Sequence, residues 1–280
     1  MREVSAPPPI DRGFVRIAEG LIHYRTAGSA TDRPPLWMMH AAPASSKSLE
    51  SQLLPLAATR RVFAPDTLGY GDSAAPTVAD PELTDYADAF LRAMDGLGLQ
   101  QVDLYGFHTG AHIAIEIAIA APQRVRRVVL DGLLVLSDAQ RNEFLAHYAP
   151  VVSPDEQGTQ VLWALNYIRD QAWFFPHFKR DAAHNMGLGA MPPEVVHYLT
   201  TELLKSLATY HLGYRAVFRH RVVERLQQIS CPVLLVADPA DPTRESVRIV
   251  GAQCPAIRCE MVPPETKTAC LLAFLDANRP

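Results

Sequence analysis

The segment VDLYGFHTGAHIAIEIA, residues 102–118, decides how the chain folds. Residues 102–105 have the apolar character of a short buried strand, and residues 111–120 are apolar on nearly all sides, which is typical of a buried helix. Between them stands the frame Gly-Phe-His-Thr-Gly, with His108 at its centre. Strand-turn-helix corners with this glycine spacing often hold a serine at the central position. The segment therefore predicts such a corner, with histidine where serine is common.

Short apolar runs on both sides of the corner predict further strands. Residues 15–18 and 21–25 alternate in polarity around Glu19 and Gly20, which predicts a hairpin. The other predicted strands are residues 36–39, residues 61–64 and the apolar runs within RVVLDG (127–132), CPVLLVADPAD (231–241) and IRCEMV (257–262).

Helices are predicted between these strands. In residues 82–99, Tyr86, Phe90 and Met94 recur on one helical face and Gly98 is a stop signal, while residues 266–275 form a last amphipathic helix. The alternation predicts an α/β fold with a mostly parallel central β-sheet flanked by helices. Ligands of such sheets bind beyond the carboxyl ends of the strands. The polar residues at those predicted ends are His40, Asp66, His108 and Asp131.

Residues 136–225 differ from the rest of the chain. Strand patterns disappear there, aromatic residues crowd together, and six of the ten histidines occur in this segment. We interpret it as a helical cap inserted into the sheet domain. The predicted core then comprises residues 1–135 and 226–280.

Bulk composition limits the classes of function. The 280-residue chain is 48% hydrophobic, has a net charge of −4 and a pI of about 6.2, which is ordinary for a globular protein and gives no nucleic-acid footprint. The amino-terminal sequence has no apolar signal core and no run reaches membrane-spanning length. The four cysteines form no CxxC pair. We therefore expect a cytoplasmic protein with a small-molecule substrate and no metal; the sequence leaves open whether it forms a homodimer.

Four motifs in a fixed order reveal a family resemblance. They are HAAP (40–43), PDTLGYGDS (65–73), GFHTGA (106–111) and PVLLVADPAD (232–241). In this order they resemble the α/β-hydrolase fold superfamily over nearly the whole chain, cap included. The resemblance implies that fold and favours an enzyme that needs no cofactor. Fold alone does not fix function, and this chain departs from the family at the residues of the chemistry.

The resemblance implies a role for several residues of the predicted site. The family's nucleophile position is occupied by His108, and its oxyanion hole would use the backbone N–H groups of Thr109 and Ala42. The family's acid corresponds to Asp241. Its histidine should follow the last strand, yet no histidine occurs after His220. An ordinary Ser-His-Asp triad is therefore absent from this sequence.

Histidine at the corner suits a simpler arrangement. A neutral imidazole can accept a proton without a separate base, because its ordinary pKa is about 6.5. We hypothesise a dyad in which either Asp241 or Asp131 orients His108 and stabilises its protonated form. The leading function is hydrolysis of a small, largely apolar ester, lactone or C–C bond next to a carbonyl, with His108 as base or nucleophile. The alternatives are a lyase, isomerase or cyclase that abstracts a proton next to a carbonyl, and a catalytically inactive small-molecule-binding protein.

Other residues are candidates for substrate contacts. His40 matches a family histidine that supports the oxyanion loop by hydrogen bonding, and as a residue at a predicted strand end it is also a candidate substrate contact. In the cap stretch RDQAWFFPHFKRDAAH (169–184), Trp173 and His177 are predicted to line the pocket. His177, or less readily His184, is a candidate to replace the missing histidine.

Three further groups have simpler predicted roles. His108, His112 and Glu116 recur every four residues, which suggests a metal site, but the corner position of His108 favours a structural explanation for the spacing. Asp66 and Ser73 are predicted to stabilise their own loop. Glu265 and Lys267 stand near the usual position of the family's histidine and are predicted to be surface residues.

Overall fold

Eight strands form a single sheet that is mostly parallel. The computed structural model describes residues 9–277; the proline-rich residues 1–8 and residues 278–280 lie outside the described range. The strands are β1 (Asp11–Ile17), β2 (Gly20–Ala27), β3 (Leu36–Met39), β4 (Val62–Pro65), β5 (Val102–Phe107), β6 (Val125–Asp131), β7 (Val233–Ala237) and β8 (Arg258–Met261). Their order in the sheet is β1-β2-β4-β3-β5-β6-β7-β8. β2 is antiparallel to both of its neighbours, β1 and β4. The strands β3 to β8 are all parallel to one another. The predicted fold class is confirmed.

The central strands are apolar on both faces because each face has its own core. Along β3, Trp37 and Met39 belong to one buried cluster, whereas Leu36 and Met38 belong to the other. Successive side chains of a strand point to opposite faces, so a fully apolar strand such as β3 serves both layers. β8 lies at the edge of the sheet and is only partly buried.

Helices cover both faces of this sheet. They are α1 (Glu50–Ala57), α2 (Leu83–Gly96), α3 (Thr109–Ala120), α4 (Asp138–His147), α5 (Thr159–Trp173), α6 (Pro193–Lys205), α7 (Tyr210–Arg219), α8 (Val222–Leu226), α9 (Glu245–Gln253) and α10 (Pro264–Asp276). α2 buries Tyr86, Phe90 and Met94 as its periodicity predicts, and Gly98 follows it with a φ of 70°. Within the described range no helix is both long and apolar enough to cross a membrane.

The chain between β6 and β7 forms five helices, α4 to α8, and contributes no strand to the sheet. They occupy the segment predicted as a helical insertion, although the exact division into core and cap stays a prediction. α1 and α9 were not predicted. The interior Pro55 weakens the helical pattern of α1, because proline lacks the N–H that a helix interior requires.

Candidate active site

The corner predicted at His108 is present between β5 and α3. β5 ends at Phe107 and α3 begins at Thr109, and His108 adopts φ 48° and ψ −109°. Among the described residues it is the only non-glycine residue with positive φ. A Cβ at Gly106 would lie 2.3 Å from the carbonyl oxygen of Gly110, so neither β5 nor α3 could keep its place with a larger residue there. The glycines of the frame are thus required by the close approach of strand and helix.

His108 is paired with Asp241, one of the two acids proposed from the sequence. The imidazole Nε2 lies 2.9 Å from Asp241 Oδ2. The second carboxylate oxygen of Asp241 accepts hydrogen bonds from the backbone N–H and the hydroxyl of Thr243, each at 2.6 Å. A Cβ at Gly132, which has a φ of 70°, would lie 2.7 Å from His108 Nε2. The contacts with Thr243 and Gly132 therefore fix the positions of the imidazole and the carboxylate relative to each other.

Electrostatic attraction within this pair favours the protonated imidazole and the ionised carboxylate. Burial disfavours the protonated imidazole, but the charge of Asp241, its hydrogen bond and the charge of Asp131 outweigh burial and raise the pKa of His108 above 6.5. Burial also opposes the carboxylate of Asp241. Attraction to His108 and the hydrogen bonds from His108 and Thr243 nevertheless hold the pKa of Asp241 below its usual 3.8. Asp241 is thus a carboxylate suited to stabilise an imidazolium.

The hydrogen bond to Asp241 also fixes the tautomer of neutral His108. A carboxylate only accepts, so Nε2 must carry the proton that it shares with Oδ2. The lone pair of the neutral ring is then on Nδ1, which has no hydrogen-bond partner within residues 9–277. The side chain is 28% exposed, and this exposed part faces a cavity. Nδ1 is the atom left to accept a proton or attack a substrate.

Asp131, the other candidate acid, has different side-chain partners. Its oxygens lie 2.9 and 3.0 Å from Lys267 Nζ, and Tyr105 donates its hydroxyl hydrogen to Oδ2 at 2.6 Å. Asp131 touches His108 through the backbone instead, because its carbonyl oxygen accepts the His108 N–H at 2.9 Å. The prediction that Lys267 is a surface residue is wrong: only 15% of its side chain is exposed, since α10 packs Lys267 onto the buried end of β6.

Ala42 and Thr109, the two predicted oxyanion residues, are joined by a hydrogen bond that the motifs did not indicate. The backbone N–H of Ala42 donates to the side-chain hydroxyl of Thr109 at 3.1 Å. The carbonyl of Ala42 is in turn held by the hydroxyl of Tyr214 at 2.9 Å. The Ala42 N–H therefore has an acceptor in the resting site, and a substrate oxygen would have to replace the Thr109 hydroxyl to reach it.

A cavity of about 610 Å³ opens beside the corner. The corner and the loops that follow β3 and β7 contribute Ala42, Phe107, His108, Thr109 and Thr243 to its wall. The helices between β6 and β7, with the segments that connect them, contribute mostly apolar side chains: Tyr148, Ile168, Gln171, Phe175, Met191, Val195, Tyr198, Leu199, Tyr214, Val217 and Phe218. A cavity of this size with a mostly apolar wall is suited to an apolar small molecule.

The structure does not place His40 at this cavity. Its Nδ1 lies 3.0 Å from the Ala41 carbonyl, and its Nε2 accepts the Thr67 N–H at 3.0 Å. The ring is 1% exposed and packs edge-on against Tyr70. His40 joins two loops at the ends of β3 and β4, which agrees with the supporting role, and it does not line the cavity.

The two residues of the cap stretch that were predicted to line the pocket, Trp173 and His177, do not line this cavity. Trp173 is 43% exposed and lines a separate surface groove between α5 and α6. His177 is buried, with Nε2 2.9 Å from the Tyr148 carbonyl and its ring between Tyr148 and Tyr167. Burial lowers the pKa of His177 to about 4. Phe175, two residues before His177, lines the cavity instead, which the aromatic composition of the stretch could not distinguish.

Comparison with known proteins identifies the family. The family model described as alpha/beta hydrolase fold matches residues 34–266. The chain belongs to the α/β-hydrolase fold family. Among curated relatives, a 2-hydroxymuconate semialdehyde hydrolase of Pseudomonas sp. (strain CF600) is 36% identical over 111 residues, 40% of this chain and 34% of the relative. The chain thus matches about a third of that protein's length.

Two further comparisons extend over more of this α/β-hydrolase chain. The 3-oxoadipate enol-lactonase 2 of Acinetobacter baylyi is 27% identical over 222 residues, covering 79% of this chain and 76% of the lactonase. The crystal structure of a hydrolase from Pseudomonas aeruginosa superposes with a TM-score of 0.71 at 23% identity, covering 95% of this chain and 99% of that one. At that identity the structural likeness shows the fold alone.

A second histidine of this α/β-hydrolase chain reaches the cavity wall and was not predicted to do so. His112 Nδ1 lies 2.9 Å from Nδ1 of His220, whose Nε2 lies 2.8 Å from Glu116 Oε1. Arg225 binds both oxygens of Glu116. The spacing of His112 and Glu116 on α3 thus reflects a shared partner, His220, rather than a metal. Burial and the neighbouring His220 lower the pKa of His112 well below 6.5.

One group of potential metal ligands is close enough to share an ion within residues 9–277: His23, Asp66 and Asp72. The oxygens of Asp66 already accept the backbone N–H groups of Ser46 and Asp72, and Oδ2 lies 2.8 Å from His23 Nδ1. The Ser73 hydroxyl donates to the Asp66 carbonyl at 2.8 Å. These contacts organise the loop after β4, as predicted for Asp66 and Ser73. The donor set is filled by the protein itself.

Proposed function

We propose that this protein is a cofactor-free hydrolase that uses His108 as its base or nucleophile. The observation that supports this most directly is the pair of His108 and Asp241 at a strained corner beside a large cavity. A non-glycine residue held at positive φ costs free energy, and such strain is concentrated at functional sites. The raised pKa of His108 in the same position is also typical of an active site.

The substrate class follows from the cavity. Its wall is largely apolar and includes His108 and Thr109, which suits a small apolar ester, a lactone or a C–C bond next to a carbonyl. The names of two relatives, a semialdehyde hydrolase and an enol-lactonase, agree with a substrate that contains a carbonyl group. In this proposal residues 136–225 act as a cap that excludes water from the site.

Two routes of hydrolysis are compatible with the dyad. In one, Nδ1 of His108 takes a proton from water, whose oxygen attacks the substrate carbonyl while Asp241 stabilises the imidazolium. The bond to the leaving group then breaks, and the imidazolium gives its proton to the leaving group, which restores the neutral ring. In the other, Nδ1 attacks the carbonyl directly, the leaving group departs, and water hydrolyses the resulting acyl-imidazole to regenerate the free ring. Both routes place negative charge on the carbonyl oxygen, where the N–H groups of Thr109 and Ala42 would stabilise it.

Proton abstraction next to a carbonyl is the second candidate. The corner provides a base but no hydroxyl nucleophile, and the Ala42 N–H is already occupied by the Thr109 hydroxyl. A lyase or isomerase needs the base and a stabilised enolate without an acyl-enzyme. The unfilled cavity beside His108 supports either enzyme over an inactive scaffold, in which side chains would fill that space.

Hydrolysis of aryl and alkyl esters and of lactones across pH 5–9 tests the proposal. Because only neutral His108 is a base, kcat/KM should rise with pH through a limb above the ordinary 6.5, the direction in which the His108 pKa is shifted. Solvent deuterium incorporation into ketones of matched size tests the second candidate. Deuterium exchange without hydrolysis would reject the hydrolase proposal. If the protein shows neither hydrolysis nor exchange, the small-molecule-binding protein becomes the explanation.

The Thr109→Val variant tests whether the Ala42 N–H belongs to an oxyanion hole. Valine keeps the shape of threonine but removes the hydroxyl that now occupies this N–H. We expect the free energy of unfolding to fall by about 1 kcal/mol, because the N–H loses its partner. We expect kcat/KM to be kept or raised up to about tenfold, since the oxyanion would no longer compete with a hydroxyl. Chemical denaturation and ester kinetics measure the two effects.

Thr109→Ser is the matched control, because it keeps the hydroxyl and should behave like the wild type in both measurements. A loss of turnover in Thr109→Val that Thr109→Ser does not share would show that the hydroxyl itself contacts the substrate. In that case the Ala42 N–H would no longer be assigned to the oxyanion hole.

A further inference from the structure

Lys267, which stands near the usual sequence position of the family's histidine, forms a buried ion pair with Asp131. Lys267 follows the last strand and reaches Asp131 at the end of β6, with Nζ 2.9 and 3.0 Å from the two carboxylate oxygens. The Tyr105 hydroxyl donates to the same carboxylate. Asp131 is 1% exposed, so solvent does little to screen its charge. The neighbouring Gly132 packs directly against the imidazole of His108.

Two carboxylates thus stand close to one imidazole, and they differ in their partners. Asp241 binds His108 directly, whereas the Asp131 side chain binds Lys267 and Tyr105 and only its carbonyl oxygen contacts the His108 backbone. A base must be neutral before it reacts. Two unpaired carboxylates beside His108 would favour the imidazolium and remove the base at neutral pH.

We propose that Lys267 is a positioning residue for His108: it neutralises Asp131, so that Asp241 alone acts as the anionic partner of the imidazole. This inference rests on the proposed role of His108 as a base or nucleophile. It assigns Lys267 to the site through Asp131, without any contact between Lys267 and the substrate.

Charged and titratable groups from every neighbouring element affect the balance between neutral and protonated His108. Asp241 follows β7, Asp131 ends β6, Lys267 belongs to α10 and His112 to α3. The charge of Asp131 raises the pKa of His108 and the charge of Lys267 lowers it, as a compensating pair requires. The remaining titratable groups on the cavity wall are Lys47, Glu50, Tyr148, Tyr198 and Tyr214.

Opposite substitutions of the pair test the proposal. Protein labelled with ¹³C in the histidine ring is titrated by NMR, and the His108 signal is assigned by its loss in His108→Gln. We expect Lys267→Met to raise the His108 midpoint by about one pH unit and Asp131→Asn to lower it by a similar amount. The double variant, which has neither charge, should return close to the wild-type midpoint, and Lys267→Arg should match the wild type.

The outcomes separate this inference from the proposed function, because the NMR titration needs no turnover. Midpoints that move in opposite directions support the role of Lys267 even if no substrate is hydrolysed. Midpoints that stay constant while kcat/KM still depends on His108 would overturn the inference alone. If a single variant does not fold, the double variant decides: a midpoint displaced by more than about half a pH unit would show that the two charges do not compensate each other.

Discussion

The His108→Gln variant is expected to lose at least about 10³-fold in kcat/KM on whichever ester or lactone the wild type hydrolyses best. Glutamine keeps a polar side chain of comparable length that can still hydrogen bond to Asp241. It cannot accept a proton at neutral pH or form an acyl intermediate that water readily hydrolyses. The effect is large because none of the histidines near the site is placed to substitute. His40 and His177 are buried with their own partners. His112 lines the cavity, but its two ring nitrogens already contact His220 and the Leu134 N–H.

His108→Ser provides a sharper version of this experiment. It restores the residue that the family usually has at the corner, but the chain has no histidine after His220 to activate the hydroxyl. We therefore expect His108→Ser to be as inactive as His108→Gln. His184→Gln, which removes a histidine paired with exposed Asp181 in the insertion, is the control and should keep its turnover. Full activity in His108→Gln would exclude His108 from the mechanism, and activity in His108→Ser alone would point to an unrecognised base.

The fold was predictable because its determinants are local. β3 coincides with the predicted residues 36–39, because a short apolar run that serves two cores has a distinct pattern in sequence. The corner at His108 was equally clear, since Gly106 and Gly110 are required by backbone contacts. α1 was missed because Pro55 interrupts its pattern.

The partners within the site were less predictable because they depend on how distant elements pack. Nothing in the sequence near Lys267 indicates that α10 directs it to Asp131, which is 136 residues away. His112 and Glu116 had the correct helical spacing, but their common partner His220 comes from the end of α7. In the aromatic stretch of the insertion, Phe175 faces the cavity and Trp173 does not. Composition identifies such a stretch but does not say which side chains face inward.

The Asp241→Asn variant is expected to lose about 10²- to 10⁴-fold in kcat/KM, through the tautomer of His108 rather than through charge alone. The Thr243 N–H and hydroxyl donate to one oxygen of residue 241, so an asparagine would keep its oxygen on the Thr243 side. Its NH₂ group would then face Nε2 of His108 and donate to it. The proton of the neutral ring would move to Nδ1, and the lone pair needed for catalysis would be lost.

Two readouts distinguish this mechanism from a general disturbance of the loop. The His108 pKa should fall when the Asp241 charge is removed, because that charge and its hydrogen bond are the main interactions that raise it. ¹⁵N chemical shifts of the ring should report protonated Nδ1 in the variant and protonated Nε2 in the wild type. Asp238→Asn changes a side chain of the same loop that accepts the Ala240 N–H, which an asparagine oxygen can also accept, so this variant should keep turnover within a few-fold. Protonated Nε2 in an inactive Asp241→Asn variant would reject the tautomer argument, since the base would then be present and the loss would have to come from the missing charge.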